Sequence, residues 1–318
     1  MMTKKFDVLV VGELNVDIIL NQIDSFPEMG KEKLARQMST VLGSSSAILA
    51  SNISSLGARV AFAGKIGKDA NGDLVIETLH QRGVNTDQVI RSAEVDTGAT
   101  IVLNYAEDRA MVTYPGAMEQ LTLDDISKES LAQAKHLHFS SYFLQPGLQS
   151  QIATLFRQAK ELGLTTSMDP QWDPEEQWNF NLAEILPYVD VLLPNEKELL
   201  YLTRTSSLSD ALEAVRPHAH WVVVKKGNEG SYLWHDGDLH HQPPFLNESV
   251  VDAIGAGDSF NAGFLYQFIQ GKPLVECQTF GNLTGAISTT RAGGTAAFSS
   301  QKDIEAIAQS RFDYPVTL

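Results

Sequence analysis

The sequence predicts an α/β fold of three layers, with a mostly parallel central sheet and a second, smaller sheet set apart from it. Three observations lead there. In the second half, apolar strand-like runs at 136–140, 164–169, 189–193 and 221–225 alternate with helical segments, the pattern of a parallel sheet covered on both faces. Residues 97–105 and 110–114 read as a β-hairpin between helical segments, which puts its strands in a separate sheet. Finally, Val250-Val251-Asp252-Ala253-Ile254-Gly255-Ala256-Gly257-Asp258-Ser259-Phe260 continues with Phe264, Leu265 and Phe268 at helical spacing, and reads as a strand end, a glycine turn and a helix start.

Composition sets the bounds. With 318 residues, 43% apolar and 20% charged, the chain has the make-up of a soluble globular protein, long enough for one large α/β domain or two smaller ones. A lone cysteine, Cys277, excludes an internal disulfide and a cysteine-built zinc site, and suits a reducing, cytoplasmic setting. Lys4 and Lys5 precede an apolar run, but Asp7 interrupts it and Glu13 closes it, so neither a signal peptide nor a membrane span fits. A net charge of −15 argues against nucleic acid or an anionic membrane as partner. It leaves a local phosphate site open.

In chain order, 6–12 is a buried strand, followed by a turn over 12–17 and an apolar run at 18–20. Asp17 between apolar segments is either a polar anchor in a cleft or a solvated turn residue. Residues 30–43 read as edge strands, and 42–57 as a helix with serines available as caps. A strand at 60–64, a glycine-punctuated loop over 64–72 and a helix around 73–82 follow. Tyr105, Met111, Tyr114, Tyr142 and Phe143 are candidate cleft residues, although aromatics in strands are more often core. His136 and His138 share a strand face, and with no third ligand at useful spacing they read as ordinary strand positions. Pro194 opens a helix, with Asn195 and Glu198 placed as end caps. Leu274–Arg291 carries an apolar helical face that includes Cys277.

The chemistry concentrates at the glycine turn. Gly255 and Gly257 allow backbone conformations closed to other residues, and the N–H groups at a helix N-terminus favour an anion. Asp258 is then either a helix cap or a base that accepts a proton from a substrate hydroxyl. The local pattern alone favours the cap.

The run Asp252-x-x-Gly255-Ala256-Gly257-Asp258, continuing Ser259-Phe260-Asn261-Ala262-Gly263-Phe264, resembles the second signature of the PfkB (ribokinase-like) carbohydrate kinases. Gly64, Gly67, Asp69 and Gly72 match the downstream half of the first signature of that family. Its upstream half departs, with Ser44 at the second glycine and Ile48 at an asparagine that touches the sugar in ribokinases. The resemblance covers nearly the whole chain. It implies a ribokinase-like fold whose small sheet, from about 14–41 and 97–116, is a lid over the acceptor and a homodimer contact.

It also implies an ATP-dependent kinase acting on a sugar or sugar derivative. Asp258 would be the base, with Gly255, Ala256 and Gly257 as the anion hole. Asn15 and Asp17 fall in the Asn-x-Asp of the acceptor site, with Gly43 and Ile48 beside it. Asn195, Lys225, Gly227 and Asn282 would touch ATP, Glu198 would order magnesium through water, and Asp252 and Ile254 lie in the loops that hold a potassium-type cation in many relatives. A nucleoside or other alcohol as acceptor, or a non-catalytic binding role, stays open at this point, as does a phosphorylated sugar through Lys31, Lys33, Arg36 and Arg109.

Overall fold

The computed structural model describes residues 4–105 and 108–318, side chains at 108 and 109 excepted. The turn expected at 106–109 therefore lies in part outside the described residues, as does the side chain of Arg109. Among the described residues, thirteen strands form two sheets. The strands are β1 (Phe6–Val11), β2 (Asn15–Ile23), β3 (Ala35–Leu42), β4 (Val60–Gly67), β5 (Asn85–Ser92), β6 (Gly98–Tyr105), β7 (Asp108–Tyr114), β8 (Ala134–Ser140), β9 (Thr165–Asp169), β10 (Val191–Leu192), β11 (Trp221–Lys225), β12 (Ser231–His235) and β13 (Asp238–Gln242). The longer helices are α1 (Ser45–Ser55), α2 (Ala70–Gln81), α3 (Ile152–Glu161), α4 (Glu196–Thr203), α5 (Leu208–Val215), α6 (Ala256–Phe268), α7 (Leu274–Ser288) and α8 (Gln301–Phe312).

The large sheet has the order β13-β12-β11-β10-β9-β8-β1-β4-β5, parallel from β11 to β5 and antiparallel at β12 and β13. At its centre Val10 of β1 lies between Phe62 and His138. Buried β1 needs apolar residues toward both layers: Leu9 and Val11 face α3, α4 and α5, and Val8 and Val10 face α1, α2 and α6. The four-stranded sheet has the order β3-β2-β6-β7, with β2 and β6 parallel and the outer pairs antiparallel.

Local chemistry sets the helix starts. Ser44 caps α1 by accepting from the Ala47 N–H at 3.0 Å, and Asp69 caps α2 by accepting from Gly72 N at 2.7 Å. Asp69 also holds Thr97 through the backbone N–H and hydroxyl at 2.6 and 2.8 Å, which fixes where β6 begins. The glycine-rich signature here is thus a joint between the sheets.

Several boundaries differ from expectation. The loop expected from Gly64 begins only after Gly67, because β4 continues to pair with β5, a strand the alternating pattern did not reveal. Asp17 lies inside β2 rather than in a turn. No strand leads into the glycine turn: Pro243 and Pro244 follow β13 without N–H donors, and Val250 and Val251 are exposed, with Val251 N bonded to Thr289 O at 2.9 Å. Helix α7 ends at Ser288, short of Arg291. Among the described residues, no helix is long and apolar enough to cross a membrane.

Candidate active site

A cleft of about 800 Å³ opens at the C-terminal ends of the central strands, between the small sheet and the start of α6. Asn15, Asp17, Gly43's neighbour Ser44, Ile48, Asn195, Glu198, Lys225, Gly227, Ile254, Asn282 and the whole turn 255–258 contribute to its wall. The residues singled out in the sequence thus converge, although the chain separates them by more than two hundred positions.

The floor is the start of α6. Gly255 is its N-cap with φ 73°, a conformation that favours glycine, and no side chain caps the helix. A Cβ at Gly255 would come within 2.6 Å of the Gly294 Cα, so the turn and the 291–294 loop touch backbone to backbone. Asp258 follows, only 7% exposed. Burial first, then the Asp169 carboxylate, with Glu13 adding, push its pKa up to about 7, against the pull of Lys225 and the Ser45 hydroxyl. The side chain of Asp258 does not cap its helix, so the cap reading falls and a buried carboxylate tuned close to neutrality remains.

A buried charge network lies beside it. Lys225 Nζ pairs with Asp169 Oδ2 at 2.5 Å, and Asn261 Nδ2 donates to that same oxygen at 2.5 Å. The Gln171 amide reaches Asp169 Oδ2 at 3.0 Å and Asp258 Oδ1 at 3.1 Å. Burial opposes the charge on Lys225, but Asp169 and Glu198 outweigh it and hold its pKa above the ordinary lysine value. Its ammonium lies 3.7 Å from where a Cβ on Gly257 would stand, so this cation faces the glycine turn. Asp169, Gln171 and Asn261 were not among the expected site residues, although Asn261 falls within the signature run and Asp169 closes β9 at the C-terminal edge of the sheet.

Asn195 and Glu198 form a reciprocal cap on α4: Glu198 Oε2 accepts from Asn195 N at 2.8 Å and Asn195 Oδ1 from Glu198 N at 2.9 Å. The same pair faces the cleft. Burial and then Asp169 push Glu198 up to about 7, against Lys225. Among the described residues, no group of three or more His, Cys, Asp or Glu is placed to hold a metal ion. The uncapped helix start suits phosphate oxygens, and Glu198 suits a magnesium ion that arrives bound to them and keeps its water.

At the lid end, Asn15 Nδ2 donates to Thr100 Oγ1 at 2.8 Å and lies 3.4 Å from Asp17 Oδ1, and Thr100 meets Thr113 at 3.0 Å. Asn15 Oδ1 is buried without a protein hydrogen-bond partner. Gly43 is required there, since a Cβ would come within 2.4 Å of Asp17 Oδ1. Ser44, which stands where the signature has glycine, keeps the glycine conformation at φ 69°, and its hydroxyl donates to Glu13 O at 2.6 Å. Ile48 is 4% exposed and packs its methyls on Gly255 and Gly294. It braces the turn. Glu13, read in the sequence only as the end of an apolar run, is a buried wall residue held by the Ser46 N–H at 3.1 Å and the Ser46 hydroxyl. Burial raises its pKa.

At the opposite end, Gly227 has φ 54° and open space around it, while the Asn282 amide is committed to the carbonyls of Gln242 and Pro243 at 3.1 and 3.0 Å. Asn282 therefore shapes the wall through its remaining oxygen and its backbone. Asp252 accepts from Ile254 N and Gly293 N, both at 2.9 Å, and so staples the two loops expected to hold a cation. Of the five lid and core aromatics and methionine considered, Met111 lines the cleft; Tyr105 packs on Phe26, Tyr114 is half exposed, and Tyr142 and Phe143 join the core around β8. His136 and His138 are fully buried, bonded to Thr165 and Ser167, and burial pushes both down to about 3, so they are neutral structural residues. Lys31 pairs with Glu28 at 2.5 Å, and Lys33 and Arg36 line a groove away from the cleft.

Comparison with known proteins gives a concordant result. The pfkB family carbohydrate kinase profile matches residues 5–301. An ATP-dependent ribose-1-phosphate kinase of Halopiger xanaduensis is 29% identical over 310 residues, spanning 96% of this chain and 99% of that one. Adenosine kinase from Sinorhizobium meliloti superposes with a TM-score of 0.81 at 27% identity, covering 91% of this chain and 95% of its own. Ribokinase from Arabidopsis thaliana, solved with ribose and ATP, gives a TM-score of 0.80 at 26% identity and covers 95% and 98%.

Proposed function

The chain belongs to the pfkB family of carbohydrate kinases, and as an ATP-dependent sugar kinase, a phosphotransferase with an alcohol acceptor, we propose that it works through Asp258 as base and the turn 255–257 as anion hole. The observation that carries this reading is the buried Asp258 at the start of a helix that no side chain caps, facing Lys225. Asp258 takes the proton of the acceptor hydroxyl as that oxygen bonds to the γ-phosphorus of ATP and the bridging oxygen leaves with ADP. The N–H groups of Gly255, Ala256 and Gly257 and the ammonium of Lys225 offset charge on the transferring group.

Asn15 and Asp17 hold acceptor hydroxyls, with Gly43 making the room and Ile48 bracing the turn. Asn195, Gly227 and Asn282 line the ATP end, and Glu198 orders magnesium through water. We extend the proposal to a potassium ion between the loops that Asp252 staples, bound through carbonyls there and around Ile254. The chain is proposed to act as one kinase unit over 1–318 with its lid drawn from both β-hairpin regions. Exposed Met38 and Val112, on the lid face opposite the cleft, support a homodimer through that sheet, and the lone buried Cys277 supports a cytoplasmic setting.

A second acceptor class, nucleosides, is favoured by Trp172, which lines the cleft edge-on to Trp178 and Tyr201 and offers a flat wall. Turnover of Mg-ATP against neutral sugars, phosphosugars and nucleosides tests the reading. One acceptor should raise turnover well above background, and Asp17→Ala should raise the KM for it while leaving the KM for ATP unchanged. ATP binding without turnover on any of them would contradict the proposal.

A further inference from the structure

Gln171 has no part in the chemistry so far, yet its placement is unusual. It follows Asp169-Pro170 at the end of β9 with φ 59°, a left-handed conformation that strains any residue but glycine. Its own N–H donates to Asp169 Oδ1 at 3.2 Å. From that backbone, one side-chain amide nitrogen spans Asp169 Oδ2 at 3.0 Å and Asp258 Oδ1 at 3.1 Å. The loop it begins is held farther along by Asp173, which accepts from Trp178 N at 2.6 Å and Glu175 N at 2.9 Å. A strained backbone supported in this way delivers a donor between two carboxylates from different layers of the fold.

We propose that Gln171 is a positioning residue for phosphoryl transfer, holding the Asp258 carboxylate by one oxygen and in register with the Asp169–Lys225 pair. The proposal rests on the reading of Asp258 as base. Two effects follow from the bridge. The anchored carboxylate keeps one orientation toward the acceptor hydroxyl. A donor on Oδ1 also favours the ionised form, the form that accepts a proton. The other groups that bear on Asp258 are Asp169 of β9, Lys225 of β11, Glu198 of α4, Glu13 after β1 and the Ser45 hydroxyl of α1. All five stay in place when only residue 171 changes, so a change there reports on the amide.

The experiment is the pH dependence of kcat for Gln171→Gly and Gln171→Glu beside the unaltered enzyme, with ATP KM and unfolding midpoints recorded. Glycine accepts the positive φ, so Gln171→Gly removes the amide from a backbone that folds as before. Its acid limb should move up by about one pH unit, with kcat at pH 7 down roughly 5–10-fold and the ATP KM unchanged. Gln171→Glu, which sets a third carboxylate between two others, should move the limb further. An acid limb that stays in place in both variants overturns the proposal, whatever kcat does. Asp258→Asn separates the two readings: if it loses turnover while the limb of the Gln171 variants is unmoved, only the positioning role fails.

Discussion

The two ends of the cleft are built on opposite principles. Around the glycine turn, charged groups are buried and tied to one another: Asp169 is fully buried, and Lys225, Asn261 and Gln171 all meet its Oδ2. In the lid, strand β3 is exposed over most of its length and the inner face carries a ladder of neutral donors and acceptors from Asn15 to Thr113. The contrast matches what the proposed chemistry asks of each end. A transferring phosphoryl group needs preorganised charge in a site that excludes water. An acceptor needs hydroxyl partners on an element able to move.

Breaking the network end should have the largest effect on the fold. Asp169→Ala strands Lys225 as a buried cation and should cost about 3–5 kcal/mol, read as a lowered denaturation midpoint. No variant of the lid ladder should approach that. Next comes the pH dependence of stability. Asp258 has a folded pKa near 7 against an ordinary aspartate in the unfolded chain, so the folded state binds more protons between those values. Its stabilising share is complete in acid and is lost as pH rises through 7. Asp258→Asn should therefore raise the melting temperature at pH 8 and leave it nearly unchanged at pH 4. An equal shift at both pH values would remove the elevated pKa from the account. The smallest effect belongs to the lid: Thr100→Val deletes one partner of Asn15 and should raise the acceptor KM several-fold, about 1 kcal/mol, with the ATP KM unchanged.

The same contrast explains what could be read from the sequence. The turn 255–258 and the cap pair Asn195/Glu198 are local, so spacing alone announces them. The network around Asp169 is not local: Gln171 and Asp258 are separated by 87 positions and Asn15 and Thr100 by 85, and only folding makes them neighbours. Ser44 and Ile48 show a subtler limit. They appeared as departures from a pattern, but one retains the glycine backbone and the other packs beneath the turn, so both serve its geometry. Strand β5 escaped notice because its polar sequence, Asn85 to Ser92, lies at the edge of the large sheet and needs burial on one side only. The expected strand before Asp252 failed for the reverse reason, since β-branched residues are no evidence for a strand where prolines end the pairing.

The most direct test of the account is Asp258→Asn, with turnover on the best acceptor and ATP binding by calorimetry measured on the same preparation. Loss of the base should reduce kcat by roughly 10²–10⁴-fold while ATP binds as before. Turnover within a few-fold of the unaltered enzyme would show that the buried carboxylate at the start of α6 is not where the proton goes.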